Sequence, residues 1–300
     1  MGYVAAGLLG LAMGSFAGAT VWRLRAGQLV RDKKDGEPYD KAELKQLLPL
    51  TKSSLAEDRS RCLHCHHVLR WYDLLPLASW LSTKGRCRYC KAPIGRFEPL
   101  MEIGTAAVFI MFTYSWFNAH GVDLAGLPIL GLWLGALTML AILFAYDLKW
   151  FLLPDAVVFP LIGLSVVIAG LTYYAGYTPD LTVFLASLAG SILILAGLYF
   201  GLWLISKGEW VGFGDVKLGI ALGLLLMDWK LALLALFLAN FIGTLIVLPG
   251  LLTRKLGRQT QIPFGPLLIA GFFITLVGGQ VIINGYMDAS NWLSQTLLML

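Results

Sequence analysis

The amino-acid sequence predicts an all-α membrane protein of about eight transmembrane helices with one small polar insertion. Hydrophobic residues make up 58% of its 300 positions and charged residues only 14%, whereas about a quarter of the residues in a soluble domain are charged. The apolar residues form runs long enough to cross a bilayer, and turn-forming residues separate these runs. The one long polar segment contains all four cysteines, in two pairs. These features exclude an ordinary soluble domain.

Residues 1–22 form the first apolar run and predict the first transmembrane helix. Gly10, Gly14 and Gly18 recur there at a spacing of four residues, which puts them on one helix face and permits close packing against a second helix. The run has neither the charged start nor the small-residue cleavage site of a secretory signal, so we expect it to be retained.

Residues 23–98 are polar, and we expect them to form a cytoplasmic domain. Within it, residues 31–58 are typical of a mobile or partly helical linker, and residues 61–96 hold the cysteines. Residues 99–286 predict a seven-helix membrane domain, followed by a short C-terminal tail at 287–300. The seven expected spans are residues 99–118, 128–147, 156–175, 181–205, 210–227, 231–252 and 264–286.

Lysine and arginine are distributed unevenly between the two membrane faces that eight spans define. By this assignment, 22 of the 23 basic residues lie on the face that carries residues 23–98, and only Lys230 lies on the opposite face. Basic loops tend to remain in the cytoplasm, so the asymmetry predicts that the large polar segment is cytoplasmic and that both termini are outside. A miscounted span would have scattered the basic residues over both faces.

The four cysteines form two C-x2-C units, Cys62-Leu-His-Cys65 and Cys87-Arg-Tyr-Cys90, which are separated by 21 residues. Two such units can supply four thiolates to one tetrahedral Zn²⁺ ion. Disulfides are disfavoured in a reducing cytosol, and a redox dithiol or unrelated thiols would explain the doubled spacing less well. We therefore expect a structural zinc site at Cys62, Cys65, Cys87 and Cys90, with the neighbouring histidines solvated or supporting the ligands.

A second candidate site surrounds Asp215 in the segment Gly212-Phe-Gly-Asp-Val-Lys217. The ten apolar residues 218–227 that follow cover roughly 15 Å of helix, about half of a hydrocarbon core of ~30 Å. A span here must begin earlier and carry Asp215 to membrane depth, where an aspartate costs at least ~2.5 kcal/mol and marks a functional site. Gly212 and Gly214 would allow positive φ or the close approach of another segment. The alternative is a short interfacial loop with a solvated Asp215.

Asp147 ends the third apolar span on the same predicted membrane face as Asp215. Two carboxyl groups a few ångströms apart cannot both ionise, so one would stay protonated. The ionised member could deprotonate a water that attacks a peptide carbonyl, while the protonated member polarises that carbonyl and protonates the leaving amine. Taken alone, Asp147 could also be a solvated residue at a helix end. We expect Asp155 to be a helix N-cap. Asn240 and Thr244 could line the same cavity as the aspartates, but we expect them to bond between helices.

Six sequence motifs extend this interpretation along nearly the whole chain. In chain order they are Gly14-Ser-Phe16 with Trp22-Arg-Leu24, Arg61-Cys62 with Arg70-Trp-Tyr-Asp73, Gly85-Arg-Cys-Arg-Tyr-Cys90 with Ala92-Pro-Ile94, Asp147-Leu148 with Leu153-Pro-Asp155, Gly212-Phe-Gly-Asp-Val-Lys-Leu218, and Ile262-Pro-Phe-Gly-Pro266. In these motifs the chain resembles the bacterial type IV prepilin leader peptidase and N-methyltransferase family of G-x-G-D membrane aspartic proteases. A single G-x-G-D would be unspecific, whereas six motifs in register are highly specific.

The resemblance implies that Asp147 and Asp215 are the catalytic pair, supported by Gly212, Gly214 and Lys217. It implies cleavage of the basic leader of type IV prepilins or secretion-system pseudopilins at the cytoplasmic face of the bacterial inner membrane. It also implies methylation of the new N-terminal residue with S-adenosylmethionine as donor, an activity that the family associates with its cysteine module. The expected partners are these substrates and the lipid bilayer, without nucleic acid.

Three alternatives stay open from the sequence. Gly18, Leu63 and the stretch Gly95–Pro99 depart from the family pattern, so the chain could be a peptidase without methyl transfer. The two aspartates could instead serve a proton-coupled transporter, although the internal repeats that transporters often contain are not found in the sequence. In a membrane-anchored zinc adaptor both aspartates would be expendable. The sequence contains no glycine-rich nucleotide loop, so pattern alone does not identify the methyl-donor site.

Overall fold

The computed structural model describes residues 2–51, 59–121, 123, 126–176, 180–253 and 262–298, and most of these residues are helical. The α-helices of the described residues are α1 Gly2–Asp35, α2 Lys41–Leu47, α3 Ala78–Ser82, α4 Phe97–His120, α5 Leu127–Trp150, α6 Asp155–Tyr174, α7 Leu181–Ile192, α8 Leu198–Ser206, α9 Phe213–Leu226, α10 Trp229–Leu252 and α11 Phe264–Leu298. A π-helical segment, Leu193–Gly197, joins α7 to α8. Within these ranges the extended structure is limited to two isolated β-bridges near the cysteines, so the predicted all-α class is confirmed.

Seven helical segments in the described part of the chain are long and apolar enough to cross a membrane. They are α1, α4, α5, α6, the continuous segment Leu181–Ser206, α10 and α11. The remaining expected span, residues 210–227, corresponds to α9, which has 14 residues and therefore covers roughly 21 Å. Nine of these residues are buried. The expected count of eight is thus approximate, because α9 is a short helix enclosed by protein.

The chain divides into two compact units, and α4 and α5 contribute residues to both. The first unit comprises Met1–Tyr114 and Leu137–Tyr146, and the second comprises Ser115–Ala136 and Asp147–Leu300. The first unit contains the four cysteines, and the second contains both candidate aspartates.

In the first unit, α1 packs against α4 through its glycines. A Cβ atom on Gly10 would lie 2.6 Å from the Cα atom of Ala106, and one on Gly14 would lie 2.6 Å from the Cα atom of Glu102. At Gly18 the nearest side chain would be 3.9 Å away. Two helices approach this closely only where Cβ is absent, so the packing face predicted from the glycine spacing is confirmed most strongly at Gly10 and Gly14.

Helix α1 continues beyond the first apolar run and ends at Asp35. Apolar residues of its extension form a buried cluster with α2, namely Ala26, Leu29, Leu44 and Leu47. An ion pair between Arg25 and Glu43, with 2.6 Å between Nη2 and Oε2, joins the same two helices. Much of the segment 31–58 that we expected to be a linker is therefore ordered helix, whereas its residues 52–58 lie outside the described residues.

In the second unit, α9 contacts α6, α7, α8, α10, α11 and the π-helical segment. Two of its glycines allow the closest of these approaches. A Cβ atom on Gly219 would lie 2.5 Å from the carbonyl oxygen of Leu195, and one on Gly223 would lie 2.8 Å from the Cα atom of Ile192. The Ser191 hydroxyl donates a hydrogen bond of 2.9 Å to the Gly223 carbonyl oxygen. Helix α9, which carries Asp215, therefore packs directly against the π-helical segment. Segments of this kind often mark functional sites.

We expect Gly219→Ala to destabilise the protein, because the new Cβ would meet the Leu195 carbonyl oxygen at 2.5 Å. Overpacking of this kind costs about 1–3 kcal/mol, so the melting temperature in detergent should fall by about 2–10 °C. Gly170→Ala in α6 is the matched control, because a Cβ there would meet no atom within 4 Å. Equal melting temperatures for the two variants would contradict the packing described for α9.

Candidate active site

Asp147 lies in the last turn of α5, which ends at Trp150. Only 5% of Asp147 is exposed, although a carboxyl group loses favourable hydration when it is buried. The helix ends where Phe151 adopts a left-handed conformation with φ 57° and donates its N–H to the Asp147 carbonyl oxygen at 2.9 Å. This cap ends the helix after Trp150, one turn beyond Asp147, and the side chain of Asp147 is buried inside the protein.

The carboxyl group of Asp147 accepts a hydrogen bond from the start of α11. The backbone N–H of Gly265 donates to Oδ2 at 3.0 Å. N–H groups in the first turn of a helix lack an acceptor within the helix, and the helix dipole there favours negative charge. A Cβ atom on Gly265 would lie 2.7 Å from the same oxygen, so only glycine permits this approach. Gly265 belongs to a motif recognised in the sequence, but the motif alone did not indicate this hydrogen bond.

Asp215 lies in the first turn of α9 and is partly buried. Its backbone N–H donates to the Gly212 carbonyl oxygen at 3.1 Å, which closes the turn that begins the helix. The carboxyl group of Asp147 lies near enough to interact electrostatically with that of Asp215. The structure thus brings the two candidate aspartates within electrostatic reach of each other, one at the start of α9 and the other against the start of α11.

The glycines before the second aspartate act through close packing. We expected that Gly212 and Gly214 could adopt positive φ, but Gly212 has φ −72° and Gly214 lies within α9. Positive φ occurs earlier in the loop, at Lys207 and Gly208, where α8 ends. A Cβ atom on Gly214 would lie only 3.2 Å from the Cβ atom of Leu153. Space for this neighbouring side chain, not backbone freedom, is therefore the reason for glycine at position 214.

Leu153 packs against both of the helix starts that adjoin the aspartates. Its Cδ1 atom lies 3.3 Å from the position of a Cβ on Gly214, and its Cδ2 atom lies 3.4 Å from that of a Cβ on Gly265. An apolar wall of this kind lowers the local dielectric constant, which strengthens electrostatic interactions between nearby charged groups. Leu153 was noted in the sequence only as part of a motif.

Lys217 forms an ion pair with Asp155, the first residue of α6. The Lys217 Nζ atom also lies 5.3 Å from the ring centroid of Phe159 and 5.7 Å from that of Phe213, within the range of cation–π attraction. We expected Asp155 to be a helix N-cap, but this prediction was wrong, because Pro154 occupies the cap position. Asp155 instead joins the first turn of α6 to the first turn of α9.

Tyr199 is a buried residue beside the aspartates that the sequence analysis missed. It is 3% exposed, its ring centroid lies 5.0 Å from that of Phe264, and Asp215 acts on it electrostatically. Its hydroxyl group faces Asn240, although the geometry falls outside an ordinary hydrogen bond. The only signal in the sequence was a polar group inside an apolar run.

Asn240 and Thr244, which we expected to bond between helices, make hydrogen bonds within α10. The Asn240 amide donates to the Leu236 carbonyl oxygen, and the Thr244 hydroxyl donates to the Asn240 carbonyl oxygen, both at 2.8 Å. Each bond connects residues four apart in α10, so these two hydrogen bonds do not join helices.

The four cysteines converge on one point, as predicted. Their Sγ atoms all lie within 4.8 Å of one another, and no histidine joins this cluster in the described residues. The Sγ atoms of Cys62 and Cys90, which come from different C-x2-C units, are 3.9 Å apart. In a tetrahedral site with Zn–S bonds of ~2.3 Å, neighbouring sulfur atoms lie ~3.8 Å apart. The four thiols therefore fit a single tetrahedral metal ion.

The two C-x2-C units fold into equivalent turns. The His66 N–H donates to the Cys62 carbonyl oxygen at 2.9 Å, and the Lys91 N–H donates to the Cys87 carbonyl oxygen at 3.0 Å. The residue after the second cysteine has positive φ in both turns, 58° at His66 and 60° at Lys91. An isolated β-bridge closes each turn. The same local geometry, made twice, directs all four thiols to one point.

Backbone N–H groups in these turns also favour the thiolate form. Burial alone would raise the pKa of the Cys87 thiol, but the N–H groups of Cys90 and Tyr89 lower that pKa to about 7. Burial raises the pKa of the Cys62 thiol to about 12. Because the thiols share one site, their negative charges oppose one another, and a bound cation would stabilise all four as thiolates.

We expect Cys87→Ser to abolish metal binding, because the remaining three thiolates leave the tetrahedron incomplete. Metal content measured by mass spectrometry should fall well below one equivalent, and residues 61–96 should become sensitive to protease. Ser82→Ala is the matched control, because Ser82 is exposed in the same segment and its hydroxyl only donates to the Ser79 carbonyl oxygen at 2.9 Å. Full metal content in the Cys87→Ser protein would contradict the four-thiolate site.

Two sequence families match consecutive parts of the chain. Residues 8–116 match the bacterial peptidase A24 N-terminal domain, and this part contains the four cysteines. Residues 134–248 match the type IV leader peptidase family, and this part contains Asp147, Asp155, Asp215 and Lys217.

Curated bacterial proteins are similar to the chain over almost its whole length. A protein of Aeromonas salmonicida (strain A449) is 32% identical over 284 residues, which cover 94% of this chain and 92% of that protein. Proteins of Stutzerimonas stutzeri and Pseudomonas aeruginosa are 30% and 31% identical with the same coverage of 94% and 92%. All three bear the name prepilin leader peptidase/N-methyltransferase. No solved structure matches the chain.

Proposed function

The chain belongs to the type IV leader peptidase family, and on this basis we propose that it is a membrane aspartic endopeptidase with Asp147 and Asp215 as its catalytic pair. Its substrates are type IV prepilins or secretion-system pseudopilins, from which it removes the leader before it methylates the new N-terminal residue. The observation that carries this proposal is the packing of Leu153 against Gly214, the neighbour of Asp215, and against Gly265, whose N–H binds the Asp147 carboxyl group. The two aspartates come from distant positions in the chain, and the family match contains both.

The proposed chemistry depends on one proton that the two carboxyl groups share. When two such groups interact, one holds the proton while the other is ionised. The ionised aspartate takes a proton from water as the water oxygen attacks the scissile carbonyl carbon. The protonated aspartate donates a hydrogen bond to the carbonyl oxygen and then gives its proton to the leaving amine nitrogen. The proton taken from water replaces the proton given to the amine, so the pair again holds one proton, which now lies on the other aspartate.

The surroundings of the pair support these roles. The Gly265 N–H holds one oxygen of Asp147, which limits the orientations that this carboxyl group can adopt. Asp215 lies in the first turn of α9, where the helix dipole favours a negative charge. Leu153 covers the helix starts with an apolar side chain. Fixed donors and low water content are the conditions under which an acid–base pair is most effective.

We propose that the membrane is the bacterial inner membrane and that residues 23–98 lie in the cytoplasm. The distribution of basic residues supports this orientation, since 22 of 23 lie on one predicted face. A prepilin has a basic leader followed by an apolar helix. Such a substrate can keep its leader at the cytoplasmic surface while its helix moves laterally in the bilayer towards the aspartates.

We propose Zn²⁺ as the ion of the cysteine cluster, in a structural role. Four thiolates leave no open coordination position for catalysis. The segment 61–96 is too short to stabilise a fold through its own core, so metal binding contributes to its folding. S-adenosylmethionine, when bound, supplies the methyl group for the second activity.

We expect Asp147→Asn and Asp215→Asn each to reduce leader removal by at least about 10³-fold, because neither variant retains a carboxyl pair that can take and give a proton. Release of the leader from a purified prepilin in detergent measures this activity. Asp288→Asn is the matched control, because it removes the same charge from an exposed position on α11, and it should cleave at the wild-type rate.

Addition or omission of S-adenosylmethionine in the same assay separates the two activities. A peptidase without methyl transfer would cleave and leave the new N-terminus unmodified. A transporter or a zinc adaptor would do neither. Wild-type cleavage by the Asp215→Asn protein would refute the assignment of the catalytic pair.

We expect Lys217→Met to lower kcat about 10- to 100-fold with a smaller change in KM, because the ion pair with Asp155 holds the first turn of α9 and misplaced catalytic groups react slowly. The double exchange Asp155→Lys with Lys217→Asp should recover part of the lost rate, which loss of the cation–π contacts of Lys217 alone would not predict. Lys230→Met, which removes a basic residue at the start of α10, is the matched control. Equal kcat values for the two methionine variants would exclude a positioning role for Lys217.

A further inference from the structure

A cavity of about 450 Å³ lies within the first unit. Helix α1, helix α2, the cysteine-containing segment and the start of α4 form its wall. Binding pockets for small molecules typically measure about 300–1,000 Å³, so its volume suits a molecule of cofactor size. Cys62 and Cys87 belong to the wall, which means that the metal-binding turns help to shape the cavity.

Glu102 is a buried acidic residue in this wall, with 6% of its surface exposed. Its Oε2 atom accepts a hydrogen bond from the Leu77 N–H at 2.8 Å, and the Ser15 hydroxyl also bonds to it. Both donors are neutral, and no basic side chain acts on Glu102 among the described residues. A buried carboxylate without a cation is costly, so this position favours a ligand that brings a positive charge.

The rest of the wall contains groups of complementary chemistry. Arg23, Arg61 and Arg86 line the cavity, and guanidinium groups are well suited to bind a carboxylate. Trp22 and Trp80 line it as well, and the large apolar surface of tryptophan suits contact with a planar base. One cavity thus combines the carboxyl groups of Asp73, Glu98 and Glu102 with cationic groups and aromatic surface.

We propose that this cavity binds S-adenosylmethionine with its sulfonium group next to Glu102. The inference rests on the proposed N-methyltransferase activity and identifies the site of its methyl donor. The donor carries a positively charged sulfur, a carboxylate and an adenine ring. Glu102, the arginines and the tryptophans match these three features in turn.

The reaction removes the charge that Glu102 recognises. The lone pair of the substrate amine attacks the methyl carbon, the carbon–sulfur bond breaks, its electron pair stays on sulfur, and the amine loses one proton. The product, S-adenosylhomocysteine, is neutral at sulfur. Glu102 therefore stabilises the bound donor more than the bound product.

Binding of these two ligands to the purified full-length protein in detergent tests the proposal. Glu102→Gln keeps the size of the side chain and an oxygen that can accept from the Leu77 N–H, but it removes the charge. By equilibrium dialysis, Kd for S-adenosylmethionine should rise at least about tenfold. Kd for S-adenosylhomocysteine should change by less than about threefold, which also shows that the cavity remains folded.

Two further variants control for location. Ala19→Phe inserts a large side chain into the cavity from α1 and should weaken both ligands about tenfold or more. Glu37→Gln removes an exposed carboxyl group that is not part of the wall, and both Kd values should stay at the wild-type level. Melting temperatures within the wild-type range should accompany these results.

Each contrary result has a distinct meaning. Unchanged affinity for S-adenosylmethionine in Glu102→Gln and Ala19→Phe would overturn the location of the site. Equal weakening of both ligands by Glu102→Gln would overturn the recognition of the sulfonium charge. If the wild-type protein bound neither ligand and left a cleaved prepilin unmethylated, the methyltransferase function itself would fail, and the inference with it.

Discussion

The burial of Asp147 is the constraint on which the architecture of the second unit depends. A carboxyl group with 5% exposure needs a partner inside the protein, and the Gly265 N–H provides it. That hydrogen bond requires the start of α11 to reach the end of α5, and it requires glycine at the contact, since a Cβ would lie 2.7 Å from the carboxylate oxygen. The chain must also leave α5 immediately, which the left-handed Phe151 accomplishes. One buried acid therefore determines the local geometry of two helix ends.

Within each unit, glycines allow the closest contacts between helices, because glycine has no side chain. In a bilayer the lipid tails are as apolar as leucine, so helices associate mainly through close packing. Gly10 and Gly14 bring α1 against α4, Gly219 brings α9 against the π-helical segment, and Gly223 brings α9 against the end of α7. The close packing of α9 compensates for its length of 14 residues, because protein surrounds it on many sides. A helix too short to span can thus hold Asp215 in a defined position.

Each unit holds one of the two candidate sites. The second unit holds the aspartates between the starts of α9 and α11, where fixed backbone donors and an apolar wall suit acid–base chemistry. The first unit holds the cavity with Glu102 and the arginines beside the cysteine cluster, where complementary charges suit a zwitterionic ligand. The cysteine cluster adjoins this cavity, because Cys62 and Cys87 are part of its wall. The two candidate sites thus differ in their electrostatic environments.

The sequence by itself determined the all-α class, the cysteine cluster and the two aspartates worth examining. These features depend on local patterns, since apolar runs, a C-x2-C spacing and an acidic residue at the edge of a span can each be read within a few residues. Only the tertiary structure identified the Gly265 donor, the Leu153 wall, the Lys217–Asp155 pair and the cavity around Glu102. Each of these joins residues that are far apart in the chain, and their contacts arise from helix packing. Packing also decided that Gly214 makes room for a side chain and that α9 is too short to span, because both depend on what surrounds a residue in space.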